Sequence, residues 1–327
     1  MFSLHLRLAF ACAASLALWG GTAQAHCLAG ARFFPATLNI EDPCVADELA
    51  LPTVSSFRNG DDPSARQLDI SGEYSKRITD TFALSVGSTW SRISPPGMRR
   101  VSGFQNLETA AKWQFLTDAQ RELVMSLGFE IEWGRTGAQA IGAEPFNVYT
   151  PTFFIGKGFG DLPDNLRLLR PVAITGQVGY AIPAKSSTVI IDPDTGEIEI
   201  ERNPRVLVWG GSLQYSLPYL KSQVQDFGLP DFINRLIPIV EVSLQTPVQN
   251  TLTSGTQTTG TINPGVIWVG KNFQVGVEAI IPINRASGDG VGIMGQLHFY
   301  LDDIFPTTLG RPLLANSSNA GRPTFGR

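Results

Sequence analysis

The sequence is poor in the residue types that usually build catalytic or metal centres. Its 327 residues include 3 histidines and 3 cysteines, and charged residues make up 17% of the chain. Soluble domains average about 25% charged residues, so this chain is charge-poor. The net charge is −4 and no basic run is present, which argues against a nucleic-acid partner. No His/Cys cluster has metal-ligand spacing, and we expect neither a metal nor any other cofactor.

Long apolar runs are also lacking after residue 25, so no helical membrane span is expected. The apolar stretch at the start, Leu8 to Trp19, is too short to cross a bilayer comfortably. Arg7 precedes this stretch, and Ala23-Gln24-Ala25 follows it with the small-x-small pattern of a signal peptidase site. We interpret residues 1–25 as a signal peptide, with a buried N-terminal helix as the alternative.

Cleavage after Ala25 would remove Cys12 and leave two cysteines, Cys27 and Cys44. An even pair in the oxidising periplasm favours a disulfide, which would stabilise the fold by on the order of 3 kcal/mol through loop closure. Two free thiols are the alternative. Residues 26–49 as a whole are predicted to form a periplasmic N-terminal segment.

Histidine is too scarce for most acid–base chemistry. After cleavage only His26 and His298 would remain, and His26 lies close to the start of the mature chain. A Ser–His–acid hydrolase would therefore have to use His298. This residue shares a predicted polar strand face with Gln296 and Tyr300, where hydrogen bonding is the better interpretation. We expect no enzyme and no catalytic residue.

The sequence is rich in apolar–polar alternation with a period of two, which is typical of β-strands. In residues 122–133, one face is apolar from Leu123 to Trp133 and the other carries Glu122, Glu130 and Glu132, with Val124 as its one apolar exception. Eleven segments of about ten residues show the pattern to differing degrees: 67–76, 81–92, 104–115, 122–133, 147–158, 171–182, 206–217, 237–246, 258–269, 272–283 and 291–301.

Such alternation fits either a soluble β-sandwich or a closed barrel in lipid. The apolar faces match the ~9–11 residues that a tilted membrane strand needs. Aromatic residues such as Trp90 and Trp133 lie near strand ends, where they would meet the headgroups. Glu130 and Glu132 suit a wet lumen better than a sandwich core. We predict an all-β fold, an antiparallel transmembrane barrel over residues 50–306, with outer-membrane lipid and the barrel-assembly machinery as partners.

The connections alternate in length, as they do in outer-membrane barrels with short periplasmic turns and long external loops. A closed bacterial barrel has an even number of strands, so residues 50–57 are assigned to a first strand and the total becomes about twelve. The links 159–170 and 218–235 are too long for periplasmic turns, and we predict short helices in them. Residues 307–327 are predicted to be a flexible tail.

Two stretches of the chain resemble a known barrel family. They are Gly295-Gln296-Leu297-His298-Phe299-Tyr300-Leu301-Asp302-Asp303-Ile304-Phe305-Pro306 and, near the start, Arg32 to Leu38 with Val45 to Leu49. Both are similar to the outer-membrane proteins grouped with the MetA pathway of phenol degradation. The resemblance implies a barrel that admits small aromatic compounds, and it supplies no catalytic motif.

The predicted inward faces carry eight candidate pore-lining residues: Glu108, Lys112, Glu130, Glu132, Glu241, Glu278, Gln296 and His298. A water-filled lumen with this lining would be negative and would favour cations or neutral solutes. The expected function is passive passage of small solutes, aromatic or hydrophobic ones included, through the Gram-negative outer membrane. The alternatives are a non-conducting structural or sensing barrel with a filled lumen and a soluble periplasmic β-sandwich binding protein.

Overall fold

The computed structural model describes residues 27–58, 64–191, 198–251 and 257–314, and its main feature is one closed antiparallel sheet. The sheet has twelve strands: β1 (Glu48–Arg58), β2 (Arg66–Thr79), β3 (Phe82–Ser94), β4 (Val101–Phe104 and Leu107–Asp118), β5 (Leu123–Trp133), β6 (Val148–Gly158), β7 (Val172–Pro183), β8 (Arg205–Tyr215), β9 (Leu236–Gln249), β10 (Thr259–Val269), β11 (Phe273–Pro282) and β12 (Gly292–Tyr300). The predicted fold is thereby confirmed. The predicted signal peptide, residues 1–25, and His26 lie outside the described residues.

Pairing between β12 and β1 closes the barrel, and every other strand pairs with its neighbours in the chain. β4 counts as one strand because both of its parts pair with β3 and only Gln105 and Asn106 interrupt it. Because the first and last of the described barrel strands pair with each other, this sheet closes on itself and has no open edge.

The outer surface of the barrel is apolar because successive strand residues point to opposite faces. On β5, Leu127 and Phe129 are exposed on the outside, whereas Val124 and Ser126 face inward and are fully buried. Leu84 on β3 and Val178 on β7 are exposed in the same way. In the described part of the chain, no helix is long and apolar enough to cross a bilayer.

The two ends of the barrel differ in their connections. At the end where β1 begins and β12 finishes, Asp80-Thr81 joins β2 to β3 and Gly270-Lys271-Asn272 joins β10 to β11. The opposite end, called here the loop end, carries residues 134–147 and 184–204. The latter include an antiparallel hairpin of Ser187–Ile191 with Ile198–Arg202. Residues 192–197, between its two strands, lie outside the described residues.

Short helices occupy the two longer links at the end where β1 begins. A 3₁₀ helix, Asp164–Leu169, lies between β6 and β7. Between β8 and β9 come an α-helical turn, Leu217–Tyr219, a π turn, Leu220–Val224, and a 3₁₀ turn, Ile233–Arg235. These are the links in which the sequence predicted helices.

Residues 27–47, called here the plug segment, lie inside the barrel, which corrects the expectation of a periplasmic segment over 26–49. The segment begins with a small hairpin of Leu28–Ala29 and Arg32–Phe33, and Phe34 is fully buried. Its backbone reaches side chains on β2, β4, β5, β7, β9 and β11. The segment enters the lumen because inward-facing residues on these strands satisfy its polar groups and cover its apolar ones.

The chain after β12 continues in local structure as far as residue 314, within the stretch predicted to be a flexible tail. A helical turn, Leu301–Ile304, is followed by turns through residue 314. The backbone N–H of Leu314 donates to the carbonyl of Ile78 at 2.8 Å, and the Lys76 ammonium donates to the carbonyl of Leu309 at 2.7 Å. Residues 307–314 therefore dock against the end of β2, whereas residues 315–327 of the predicted tail lie outside the described residues.

Candidate functional site: a plugged lumen

The top of the plug segment is held by one carboxylate. The backbone N–H groups of Leu38, Asn39 and Ile40 donate to the Glu241 carboxylate on β9 at 2.8, 2.8 and 2.9 Å. Glu241 is fully buried. A carboxylate can accept several backbone N–H groups at once, and such charge-assisted hydrogen bonds are among the stronger ones. Glu241 therefore fixes the turn of the plug segment near the middle of the barrel.

The base of the plug segment is held by a buried arginine. Arg32 is fully buried, and its Nε donates to Glu122 Oε2 at 3.0 Å and its Nη1 to the carbonyl of Pro171 at 3.0 Å. Its guanidinium also lies 3.8 Å from the centre of the Tyr219 ring, and Arg170 supplies a further carbonyl. Burial, with the neighbouring Glu122, raises the pKa of Tyr219 to about 12, so its hydroxyl stays a donor to Glu122.

The end of the plug segment is tied to the chain after β12. Asp47 is fully buried and pairs with Lys76 and with Arg77, whose Nε lies 2.8 Å from Asp47 Oδ2. Arg77 also pairs with Asp302, at 2.8 Å from Nη2 to Oδ2. Burial raises the pKa of Asp302 to about 8 despite this pairing, because Asp47 and Glu48 oppose the effect of Arg77. Through Lys76 and Arg77, the cluster links the end of the plug segment to the chain that follows β12.

Apolar contacts also hold the plug segment at the end where β1 begins. Cys27 and Cys44 form a disulfide between positions 17 apart in the chain, with a Cα–Cα distance of 5.3 Å. They pack with Phe34 and with inward-facing Val124 and Ala173. A second cluster joins Leu38 to Ile237, Ile239 and Ile267. Gly276 permits the approach of Leu38, since a Cβ atom there would lie 2.5 Å from a Leu38 methyl group.

Two cavities, together called here the vestibule, lie beside the plug segment in the lumen. Their volumes are about 330 and 280 Å³. Glu41, Glu48, Glu73, Lys112 and Gln177 line both of them. The first is bordered on one side by the plug segment from Ala36 to Asp42 and continues to β12. The second extends along β5 and β6.

The vestibule is acidic, and the lysine and the histidine of its lining are already engaged. Lys112 pairs with Glu41 at 2.8 Å, donates to the carbonyl of Asp42 at 3.0 Å and lies 4.6 Å from the Phe154 ring. His298 Nε2 lies 3.1 Å from Glu48. Burial raises the pKa of Asp42 on the plug segment to about 6, with the charge of Glu48 adding to the effect. Lys112 and His298 are therefore already paired with acidic residues of the lining.

Six of the eight predicted pore-lining residues line the vestibule. Glu108, Lys112, Gln296 and His298 border the first cavity, and Lys112 also borders the second with Glu130 and Glu132. Glu241 is instead covered by the plug segment. Glu278, also buried, lies beside Glu241. The alternation pattern placed both on the inward face, but it carries no information on whether the lumen at that height is open.

The residues of the plug segment were missed as lumen residues, although two signals pointed to them. Val124 is apolar on an otherwise polar strand face, and Ile237 and Ile239 at the start of β9 also face inward. Apolar inward residues at one level of a polar lumen indicate that something apolar covers them. The contact of Glu122 with Arg32 and Tyr219 gave no signal, because it joins positions 90 and 97 residues apart.

The closed sheet, the apolar outer surface and the polar lumen define a transmembrane β-barrel of the outer-membrane type with an internal plug. No protein-family model matches the chain, and no curated protein matches it. The family resemblance seen in residues 295–306 therefore stays a prediction.

Three solved structures illustrate the similarity at the level of structure. An outer-membrane channel from Pseudomonas putida F1 is similar over 82% of this chain and 99% of its own, with 12% identity and a TM-score of 0.46. The KdgM porin is similar over 76% of this chain and 97% of its own, with 13% identity and a TM-score of 0.43. LpxR from Salmonella typhimurium is similar over 77% of this chain and 99% of its own, with 15% identity and a TM-score of 0.39. The overlap is partial, and the class assignment rests on the barrel geometry itself.

Proposed function

We propose that this protein is an outer-membrane channel for small solutes whose plug segment narrows the lumen at the periplasmic end. The supporting observation is the vestibule, two cavities of about 330 and 280 Å³ lined by polar and charged side chains. A barrel that served only as a scaffold would gain more stability from a densely packed apolar interior. A polar lining that stays unfilled is instead suited to water and dissolved solutes.

The acidic lining favours cations and neutral solutes. In a narrow passage with low-dielectric walls, fixed carboxylates raise the local concentration of cations and lower that of anions. The first cavity has no phenylalanine, tyrosine or tryptophan among the described residues that line it. The aromatic solutes implied by the family resemblance thus find less support in the first cavity than polar ones do, whereas Phe129 and Phe154 border the second.

A non-conducting sensing or structural barrel is the second candidate, and the plug segment favours it. Its backbone bonds to six strands, and it is joined to the barrel through buried ion pairs at Arg32 and Asp47. If this arrangement never opens, solutes reach the vestibule but do not pass. The two candidates therefore differ in one measurable property, ion flow across the barrel.

Planar-bilayer recordings test the channel. The full mature chain is compared with a variant that lacks residues 27–44, which removes both cysteines of the disulfide together. We expect a small, cation-selective unitary current from the wild type and a several-fold larger one from the variant. Heat-modifiable gel mobility checks that the variant is folded.

Silence of both folded proteins at every tested voltage would overturn the channel and leave the non-conducting barrel. An equal current from both would show that the plug segment does not limit flow. A reversal potential that favours anions in a salt gradient would contradict the role given to the acidic lining.

A further inference from the structure

Three arginines, called here the arginine patch, lie on the outward face of three neighbouring strands at the loop end. Arg66 on β2 and Arg92 on β3 are exposed, and they alternate in step with the exposed outward residues Ile70 and Leu84. Arg58, at the end of β1, lies directly opposite Arg66. Because successive strand residues point to opposite faces, all three side chains lie on the membrane side of the barrel wall.

The arginine patch lies just beyond the apolar belt. Trp90 on β3 is opposite Phe104 on β4, and aromatic rings in such positions mark the boundary between hydrocarbon and headgroups. The Arg92 guanidinium lies 5.0 Å from the centre of the Trp90 ring. Outward residues that follow one another along a strand are about 7 Å apart, so Arg92 reaches the level of the lipid headgroups.

The positive charge here is not neutralised by the described part of the protein. The side chains of Arg66 and of Arg99 and Arg100, in the link between β3 and β4, have no hydrogen bond or ion pair among the described residues. Arg58 has a further contact of its own, so the unpaired charge is that of the other arginines. Like charges on adjacent strands repel one another, which favours an anion between them.

The acidic residues of the same strands face the lumen. Glu73 on β2 and Glu108 on β4 line the vestibule. Asp69 on β2 lies opposite Ser91, which is fully buried. The outward face at Arg66 and Arg92 therefore receives no compensating carboxylate from its own strands.

Exposed cations elsewhere on the barrel have partners. At the end where β1 begins, Arg121 pairs with Asp118 at 2.7 Å. At the loop end, Arg205 on β8 donates to Gln249 at 2.9 Å. The surplus of positive charge is therefore a local property of the wall formed by β1 to β4.

We propose that the arginine patch binds the phosphate groups of a phosphorylated glycolipid in the outer leaflet. The planar guanidinium presents a fork of N–H donors that matches two phosphate oxygens. Trp90 and Phe104, at the adjoining apolar belt, would contact the acyl chains of the same lipid. The proposal uses the predicted orientation in which the loop end is external. Since the patch faces lipid and not the lumen, the proposal holds whether or not the barrel conducts ions.

Native mass spectrometry of the detergent-folded mature chain tests this surface without measuring transport. The probe is lipid A with two phosphate groups, and the comparison lipids are its dephosphorylated form and phosphatidylethanolamine. We expect lipid A to be retained, with weaker retention for each phosphate removed. Charge attraction contributes to the binding, so the affinity should fall as salt is added.

Matched double variants locate the surface. Arg66→Gln combined with Arg92→Gln should weaken lipid A binding about tenfold or more, because one hydrogen bond to a charged group is worth about that much. Lysine at both positions should restore part of the affinity, since it keeps the charge and loses the planar fork. Arg202→Gln combined with Arg205→Gln removes two charges from another side of the loop end and should leave the affinity unchanged.

Asp61 and Asp62, the acidic residues between β1 and β2, lie outside the described residues. Asp61→Asn combined with Asp62→Asn should not weaken lipid A binding, and a loss as large as that of the arginine variant would contradict the proposal. Heat-modifiable gel mobility checks that every variant is folded.

Three further results would overturn the proposal. Equal weakening by the two arginine double variants would show attraction to the net charge of the loop end. Equal retention of lipid A with and without its phosphates would remove the role of the guanidinium groups. Displacement of lipid A by inorganic phosphate at equal concentration would assign the arginines to a free anion instead of a lipid.

Discussion

The lumen has two regions, one around the plug segment and one in the vestibule, and their carboxylates differ in hydrogen-bond partners. Around the plug segment, Glu241 accepts three backbone N–H groups and Glu122 accepts from Arg32 and Tyr219. In the vestibule, Glu108 and Glu130 have no such partners in the described chain. A carboxylate bonded to the backbone stabilises the fold, whereas an unpaired one beside a cavity remains free to meet a solute.

Apolar residues follow the same division. Val124, Ile237 and Ile267 face the plug segment or its neighbours and are fully buried. The vestibule lining on β2 and β3 consists largely of serine, threonine and glycine. The composition of the lumen wall therefore differs between the strands that pack on the plug segment and the strands that line the vestibule. Matched changes in these two regions test this division.

The largest effect is expected from Glu241→Ala. The change leaves three enclosed N–H groups of the plug segment without an acceptor, which costs on the order of 4 kcal/mol. Glu130→Ala in the vestibule removes an unpaired carboxylate and should change stability by less than about 0.5 kcal/mol. Urea unfolding of the detergent-folded barrel measures the free energy of unfolding of both variants. Equal destabilisation by the two would contradict the difference between the plug region and the vestibule.

Arg32→Ala is expected to destabilise the barrel by about 3 kcal/mol, because it leaves Glu122 as a buried charge without its ion-pair partner. Arg121→Ala is the control, since Arg121 pairs with Asp118 at the surface and its side chain is 73% exposed. Surface pairs contribute roughly 0–1 kcal/mol. Thermal or urea unfolding compares the two, and a control effect as large as that of Arg32→Ala would contradict the account.

The double change Cys27→Ser and Cys44→Ser should weaken the docking of the plug segment by about 2 kcal/mol, through the loss of loop closure. Limited proteolysis with trypsin checks this, because Arg32 becomes a cleavage site only when the segment leaves the lumen. The single-site control Ser222→Ala changes an exposed residue at the same end of the barrel and should leave the cleavage rate as it was. Unchanged protection of the double variant would show that the disulfide is dispensable for docking.

The smallest effect concerns pH. The pKa of Asp302 is raised to about 8, so the folded state favours the protonated carboxyl. Its contribution is complete below the unfolded pKa of about 4 and is lost as pH rises through about 8. We expect about 1 kcal/mol less stability at pH 9 than at pH 7, and a much smaller change in Asp302→Asn. Urea midpoints at the two pH values test this, and an identical pH dependence of both proteins would refute it.

The strands could be predicted from the sequence because alternation is a local signal. β5 and β11 follow their apolar faces residue by residue, and the loop lengths indicated the direction of each strand. The plug segment could not be predicted in the same way. Its residues have no periodicity, and its acceptors lie far along the chain, at Glu241 and Gln177.

The candidate site was therefore only partly predictable. Inward charge at Glu130 and Glu241 is equivalent in the sequence, because both alternate with apolar neighbours. What separates them is the plug segment, which covers one and leaves the other beside a cavity. The apolar inward positions Val124, Ile237 and Ile239 were the local clues to that difference.

Hydrogen exchange of the folded barrel, followed by mass spectrometry, tests the occupied lumen most directly. Peptides that contain Leu38, Asn39 and Ile40 should exchange as slowly as those from β9, because their N–H groups are bonded to Glu241 inside the barrel. Glu241→Ala should accelerate exchange in these peptides while β9 stays protected. Exchange at the rate of an unstructured chain in the wild-type protein would contradict a plug within the lumen.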